Sequence, residues 1–141
     1  MTDAIRTIAL VAHDNRKPAL ADWVQFNRGQ LDGLTLISTG TTGGLIAERT
    51  GLDVIRLKSG PHGGDQQIGA RIAEGGVDML IFFWDPLEPM PHDPDIRALL
   101  RLATLWNIPI ASNESTADFL ISSPYSQAYD RAVPGLGIKG E

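Results

Sequence analysis

The sequence has no cysteine, no long hydrophobic run and fewer basic than acidic residues. Without cysteine, the chain has no disulfide framework, no zinc-thiolate site and no cysteine nucleophile. Its longest fully apolar run, Met79–Trp84, is far shorter than the roughly 18 residues that span a bilayer. The run Ile8–Ala12 is shorter than a signal-peptide core of roughly 7–15 residues, and His13-Asp14 follows it instead of a small-residue cleavage site. We therefore expect a soluble cytoplasmic protein.

The charge balance limits the kinds of partner. The chain has 12 Lys and Arg against 17 Asp and Glu, a net charge of −5. This sign argues against a nucleic acid or an anionic membrane as the main partner. With 141 residues, 43% of them hydrophobic, the chain has the length and composition of one compact domain. We predict that this domain covers residues 1–124 and that residues 125–141 form a C-terminal tail.

Short apolar runs alternate with segments of helical periodicity. Five runs predict β-strands: Thr7–Ala12, Thr35–Ser38, Val54–Leu57, Met79–Phe83 and Ile108–Ala111. Five helices are predicted, most clearly from Ile96 to Trp106. Continuous apolar strands that alternate with helices are typical of a parallel sheet covered on both faces. The predicted fold is α/β, a single three-layer domain with a doubly wound, mainly parallel five-stranded sheet, whose ligands bind at the carboxyl ends of the strands.

The segments after the first two strands carry candidate anion ligands. His13–Lys17 follows the first strand, and its charged groups fit either a ligand site or helix capping by Asp14 or Asn15. Ser38–Gly44 leads into a helix, where N–H groups and threonine hydroxyls are suited to hold a phosphate. This segment matches neither the Walker nor the Rossmann pattern, and a capped glycine-rich turn accounts for it equally well.

The next two strands are followed by ionisable groups. Asp65 lies at or near a helix start after a glycine-rich turn, where it is either an N-cap or, if it faces a substrate, a base. His92 lies among carboxylates in a loop stiffened by four prolines. The fifth strand leads to Ser112–Ser115, which we interpret as a helix cap. Together these groups indicate an enzyme that removes a proton next to a carbonyl of a small phosphorylated molecule.

Two other patterns carry no function. Gly135–Gly140 matches G-x-G-x-x-G but follows no predicted strand and opens no helix. The three histidines, His13, His62 and His92, lack HxxxH or HExxH spacing, so we expect no metal and no cofactor.

Several blocks of the sequence resemble the methylglyoxal synthase family across residues 8–124. They are Ile8–Asp14, Ser38–Gly43, Ser59–Pro61, Gly63–Gln67, Leu80–Pro86, Pro91–Asp95, Asn113 and Thr116–Asp118. The FFWDP and PHDPD sequences are the most specific. The resemblance implies a homohexameric, metal-independent lyase that converts dihydroxyacetone phosphate to methylglyoxal and inorganic phosphate, with phosphate as a possible inhibitor.

The resemblance also implies the roles of individual residues. Asp65 is the base, His92 binds the carbonyl and hydroxyl oxygens, and Asp14 and Asp95 complete the catalytic set. The implied substrate and phosphate ligands are His13, Lys17, Thr39, Gly40, Thr41, Thr42, Ser59, Gly60 and His92. The resemblance gives no role to His62.

Two alternatives share the predicted fold. A non-catalytic module similar to the regulatory domain of carbamoyl phosphate synthetase needs a phosphate site but not Asp65 together with His92. A domain similar to the cyclohydrolase of purine synthesis is not expected to carry PHDPD. Because the sequence has both Asp65 and His92 and also carries PHDPD, it favours the lyase.

Overall fold

The chain folds into a five-stranded parallel sheet with helices on both faces. The computed structural model describes residues 5–88, 93–126 and 131. The strands are β1 (Thr7–Ala12), β2 (Thr35–Ser38), β3 (Val54–Arg56), β4 (Met79–Phe83) and β5 (Ile110–Ala111). The helices are α1 (Lys17–Phe26), α2 (Arg28–Leu31), α3 (Gly40–Thr50), α4 (Gly64–Ala73), α5 (Asp93–Leu105) and α6 (Glu114–Ser122), with 3-10 turns at Asp14–Arg16, Gly60–His62 and Pro124–Ser126. None of these helices is long and apolar enough to cross a membrane.

The strand order places the functional edge of the sheet. Neighbouring strands are parallel in the order β3-β2-β1-β4-β5. The chain adds β2 and β3 on one side of β1 and then returns to add β4 on the other side, so the order reverses between β1 and β4. Doubly wound sheets bind ligands at this switch point. The predicted α/β fold is confirmed.

The core consists of two apolar layers, one on each face of the sheet. Helices α1, α3 and α6 contribute to one layer, and α4 and α5 contribute to the other. Strand β1 supplies both, because Ile8 and Leu10 belong to the first layer while Ala9 and Val11 belong to the second. Successive side chains of a strand point to opposite faces, which explains why this central strand is apolar at every position from Ile8 to Ala12.

Polar contacts cap the start of α6 and join this helix to α1. The side chain of Asn113 accepts a hydrogen bond from the Thr116 amide at 2.9 Å, so the predicted cap before α6 is confirmed. The indole N–H of Trp23, in α1, donates to Asp118 Oδ1 at 2.9 Å. Asp118, which belongs to one of the family-like blocks, therefore joins two helices of the same layer.

The sequence prediction differs from the structure in a few segments. Strand β5 covers Ile110–Ala111, not Ile108–Ala111, because the Ile108 amide still bonds to the Ala103 carbonyl at the end of α5. Helix α2 was not predicted, since its four residues are too few to display a helical period. The predicted tail, residues 125–141, lies almost entirely outside the described residues.

Candidate active site

A cavity of about 520 Å³ lies at the carboxyl edge of the sheet. The segments that follow β1, β2, β3 and β4 all contribute to it. Its polar and glycine lining consists of His13, Asp14, Lys17, Thr39, Thr41, Thr42, Ser59, Gly60, Asp65 and Glu88. The structure therefore brings together nearly all the predicted site residues whose side chains it describes. Gly40 is adjacent, at the start of α3, but is not part of the lining.

The ammonium group of Lys17 is held between two oxygen atoms. It donates to Thr41 Oγ1 at 2.7 Å and forms an ion pair with Asp14 Oδ1 at 2.7 Å. The hydrogen bond from Lys17, together with its positive charge, holds the pKa of Asp14 below its ordinary value. Asp14 is thus ionised at neutral pH and orients Lys17. Because Asp14 lies inside a 3-10 turn and Arg16 occupies the N-cap position of α1, Asp14 is not the helix cap.

Helix α3 presents its N-terminus to the cavity. Thr39 is its N-cap, and the Gly40 amide donates to the Lys58 carbonyl at 3.3 Å. The amides of Thr41 and Thr42 lie in the first turn, where helix geometry offers no intrahelical acceptor. The Thr42 hydroxyl is buried and has no hydrogen-bond partner among the described residues. A bound anion can satisfy these groups.

Two glycines let the turn after β3 lie directly against the start of α3. A Cβ atom on Gly40 would lie 3.2 Å from both Leu57 O and Ser59 N. A Cβ atom on Gly64, the first residue of α4, would lie 2.9 Å from Thr39 Cγ2 at the start of α3 and 2.0 Å from Lys58 O, a separation that atoms cannot adopt. A Cβ atom on Gly64 cannot be accommodated and one on Gly40 would push its neighbours away by a few tenths of an ångström, so glycine at both positions lets Ser59 lie beside the N-terminus of α3.

Asp65 faces the same turn from the start of α4. It is the second residue of that helix and follows the N-cap Gly63, so the N-cap alternative for Asp65 is wrong. Its Oδ2 atom lies 3.5 Å from the position that a Cβ atom on Gly60 would occupy. The positive end of the helix stabilises an ionised carboxylate here. Asp65 thus lies in the cavity as a carboxylate that can accept a proton.

His13 provides a buried donor on the opposite side, after β1. The backbone N–H of Asp85 donates to His13 Nδ1 at 2.9 Å, so the neutral ring carries its proton on Nε2. The ring packs edge-on against Phe82, with centroids 5.2 Å apart. Nε2 has no partner among the described residues, although His13 is only 7% exposed. A ligand oxygen in the cavity can accept this hydrogen bond.

Asp85 is a site residue that the sequence analysis missed. Besides orienting His13, its carboxylate accepts from the Leu87 amide at 3.0 Å and from Asn15 Nδ2 at 3.3 Å. It therefore joins the segments after β1 and β4 across the switch point. Its place in the FFWDP sequence, directly after a buried strand, was the available signal. Glu88, which lines the cavity, was also missed.

Two predicted catalytic residues stay predictions. His92 lies outside the described residues. Asp95 lies in the first turn of α5, but its side chain is outside what the structure describes. Where side chains are described, His, Asp and Glu nowhere form a group of three able to hold a metal ion.

The fold and the cavity define a doubly wound α/β domain in which a lysine, a helix N-terminus and a carboxylate line one cavity. A family model for the MGS-like domain matches residues 20–112. Methylglyoxal synthase of Hahella chejuensis is 66% identical over 119 residues, which are 84% of this chain and 78% of that protein. Methylglyoxal synthase of Pseudoalteromonas atlantica is 60% identical over 131 residues, or 92% and 97% of the two chains.

A solved structure agrees with the sequence comparisons. The crystal structure of methylglyoxal synthase from Elizabethkingia anophelis matches with a TM-score of 0.84 at 52% identity, covering 90% of this chain and 84% of that chain. This chain belongs to the methylglyoxal synthase family. The resemblance found in the sequence, and with it the prediction of a lyase, is confirmed.

Replacing Gly64 by alanine tests the packing of the turn after β3 against Thr39 at the start of α3. Because the new Cβ cannot coexist with the Lys58 carbonyl, we expect Gly64→Ala to lower the free energy of unfolding by about 1–3 kcal/mol. We also expect it to weaken phosphate binding, since Ser59 must move away from α3. Urea unfolding and calorimetric titration with phosphate measure the two effects.

The matched control is Gly29→Ala in α2, where a Cβ atom meets nothing within 4 Å. This change should leave phosphate affinity unaltered and stability equal or slightly higher. Normal stability and phosphate affinity in Gly64→Ala would contradict the importance of the contact.

Proposed function

We propose that this cavity is where dihydroxyacetone phosphate is converted to methylglyoxal and inorganic phosphate. This carbon–oxygen lyase reaction is that of the methylglyoxal synthase family, to which the chain belongs. The observation that carries the proposal is that the N-terminus of α3, the ammonium of Lys17 and the carboxylate of Asp65 line one cavity. The reaction needs a phosphate site and a base next to each other.

The phosphate of the substrate binds between the N-terminus of α3 and the beginning of the turn that follows β3. Lys17 contributes positive charge, and the first turn of α3 contributes amides. The remaining ligands are the hydroxyls and backbone groups of Thr39, Gly40, Thr41, Thr42, Ser59 and Gly60. All of these except Gly40 line the cavity, so the phosphate is captured by local donors despite the chain's net charge of −5.

Proton removal begins the reaction. Asp65 takes a proton from the hydroxymethyl carbon, and the electron pair moves onto the carbonyl oxygen to form an enediolate. Hydrogen-bond donors at that oxygen lower the barrier because charge develops there. His13 supplies one from Nε2, whose proton is fixed by the Asp85 amide. We assign the other to His92.

Phosphate then leaves from the enediolate. When the donors hold the C–O bond to phosphate perpendicular to the enediolate plane, that bond breaks and the enediolate double bond shifts to the carbon that carried phosphate. The hydroxyl oxygen on the terminal carbon gives up its proton and becomes the aldehyde oxygen. The bonding pair leaves with phosphate, whose charge Lys17 and the helix N-terminus stabilise. The released enol tautomerises to methylglyoxal. Asp14 orients Lys17 through their ion pair, and we assign proton relay to Asp95.

Asp65→Asn tests the assignment of the base. Removing a general base typically costs about 10²–10⁴ in rate, so we expect turnover of dihydroxyacetone phosphate to fall by that factor. Release of methylglyoxal and of phosphate from the purified protein measures it. Phosphate binding should persist, because Asp65 is not a phosphate ligand.

Asp53→Asn, which removes an exposed carboxylate outside the cavity lining, is the control and should keep full activity. Substantial turnover by Asp65→Asn would transfer the role of base to Asp14 or Asp95. A wild-type protein without activity from mildly acidic to neutral pH would refute the proposed function itself.

Lys17→Ala tests the phosphate site. A hydrogen bond to a charged group contributes about 1.5–3 kcal/mol, so we expect about a 10- to 100-fold loss in affinity for both substrate and phosphate. Michaelis constants and calorimetric titration with phosphate measure the two affinities.

Lys58→Ala removes an exposed lysine whose side chain is not part of the cavity lining, and should change neither affinity. A lower turnover number for Lys17→Ala at unchanged affinities would contradict a role in phosphate binding.

We further propose that the protein is a homohexamer whose catalytic domain covers residues 1–124 of each chain. We place it in the cytoplasm, where its substrate, a charged phosphate ester, is retained. Large apolar side chains on the surface support assembly, because Phe26 is 88% exposed, Leu87 91% and Phe119 75%. Sedimentation velocity should give the mass of six chains. A monomer at micromolar concentration would rule the hexamer out.

A further inference from the structure

His62 is the one histidine without a role in the proposed reaction, yet it contacts the phosphate site. Its Nδ1 atom lies 2.7 Å from Ser59 Oγ. Ser59 lines the cavity, whereas His62 is exposed and is not part of the lining. We propose that His62 is a positioning residue that directs the hydroxyl proton of Ser59 toward the bound phosphate. The inference rests on the proposed function in one respect, that Ser59 is a phosphate ligand.

The chemistry of the hydroxyl gives His62 this control. A serine hydroxyl has one proton to donate and two lone pairs that accept. Phosphate oxygens at neutral pH need donors, so Ser59 holds the phosphate only when its proton points there. If Nδ1 accepts, Ser59 donates its proton to His62, and that proton is no longer available for a hydrogen bond to the phosphate. If Nδ1 carries a proton, it donates to Oγ, and the proton of Ser59 remains available.

Neighbouring groups hold the backbone of Ser59 in place. The carbonyl of Ser59 accepts from the amides of His62 at 3.0 Å and Gly64 at 2.9 Å. The amide nitrogen of Ser59 lies against Gly40, where a Cβ atom would be only 3.2 Å from it. The 3-10 turn Gly60–His62 brings the imidazole back over Ser59 after three residues. His62 then restricts rotation about the Cβ–Oγ bond of Ser59, which sets the direction of the hydroxyl proton.

A double-mutant cycle tests the proposal. In the wild-type background, His62→Leu introduces an apolar side chain of similar size that cannot donate to Ser59 Oγ. We expect about fivefold weaker inorganic phosphate binding, the factor typical of one lost hydrogen bond, and a similar rise in KM for dihydroxyacetone phosphate with kcat within twofold. In Ser59→Ala background, the same change should have no further effect on phosphate binding.

The conservative variant distinguishes positioning from a structural role. In His62→Asn, the amide nitrogen at the γ-branch can donate to Oγ as Nδ1 does, so phosphate affinity should return to within twofold of wild type. His62 is exposed and its own amide bond to Ser59 is kept by any L-residue other than proline, so these variants should fold normally. An undiminished effect of His62→Leu in the Ser59→Ala background would instead indicate direct contact with phosphate and overturn the proposal. Unchanged affinity in the single variant would also overturn it.

A spectroscopic measurement addresses the proton itself. Nitrogen-15 NMR of the imidazole rings separates protonated from unprotonated Nδ1, and the signal that disappears in His62→Asn belongs to His62. We expect a protonated Nδ1 in the phosphate-saturated protein. An unprotonated Nδ1 there overturns the proposal.

The phosphate titrations need no turnover, so the two proposals fail separately. If the wild-type protein binds phosphate and the cycle shows coupling, but no methylglyoxal forms, the proposed reaction fails while the role of His62 stands. If methylglyoxal forms but the cycle shows no coupling, only the role of His62 fails.

Discussion

The close approach of the turn after β3 to the start of α3 is the constraint on which the site depends. The Gly40 amide donates to the Lys58 carbonyl, and a Cβ atom on Gly64 would lie 2.9 Å from Thr39 Cγ2, as well as 2.0 Å from Lys58 O. This contact places Ser59 beside the N-terminus of α3. Two sets of donors that are about 20 residues apart in the sequence thereby line one cavity.

A second set of contacts completes the cavity from the other side of the switch point. The Asp85 amide fixes the tautomer of His13, and the Asp85 carboxylate binds the segments that follow β4 and β1. The strand order makes this possible, because β1 and β4 are hydrogen-bonded neighbours although about 70 residues separate them in the chain. The groups at the start of α3 and the buried histidine therefore line one cavity.

The electrostatics of the site are local. Lys17 is shared between Thr41 and an ionised Asp14, so part of its charge is already neutralised before any ligand arrives. Helix N-termini and hydroxyl groups supply the other donors. An acidic protein can bind a phosphorylated substrate in this way because short-range hydrogen bonds, not net charge, determine affinity at contact distance.

The sequence by itself determined the fold class and the location of the site. Apolar runs identified all five strands within two residues, because buried parallel strands are apolar on both faces, and polar groups after the strands marked the functional edge. It also carried the family resemblance, and it named His13, Lys17 and Asp65. Only the tertiary structure decided which alternative held for each group: Asp14 orients Lys17 instead of capping a helix, and Asp65 follows an N-cap instead of forming one. The tertiary structure also added Asp85, Glu88 and the bond between Ser59 and His62. Each of these depends on how a turn folds back or on which loops meet across the sheet. Neither property is encoded in the spacing of residues along the chain.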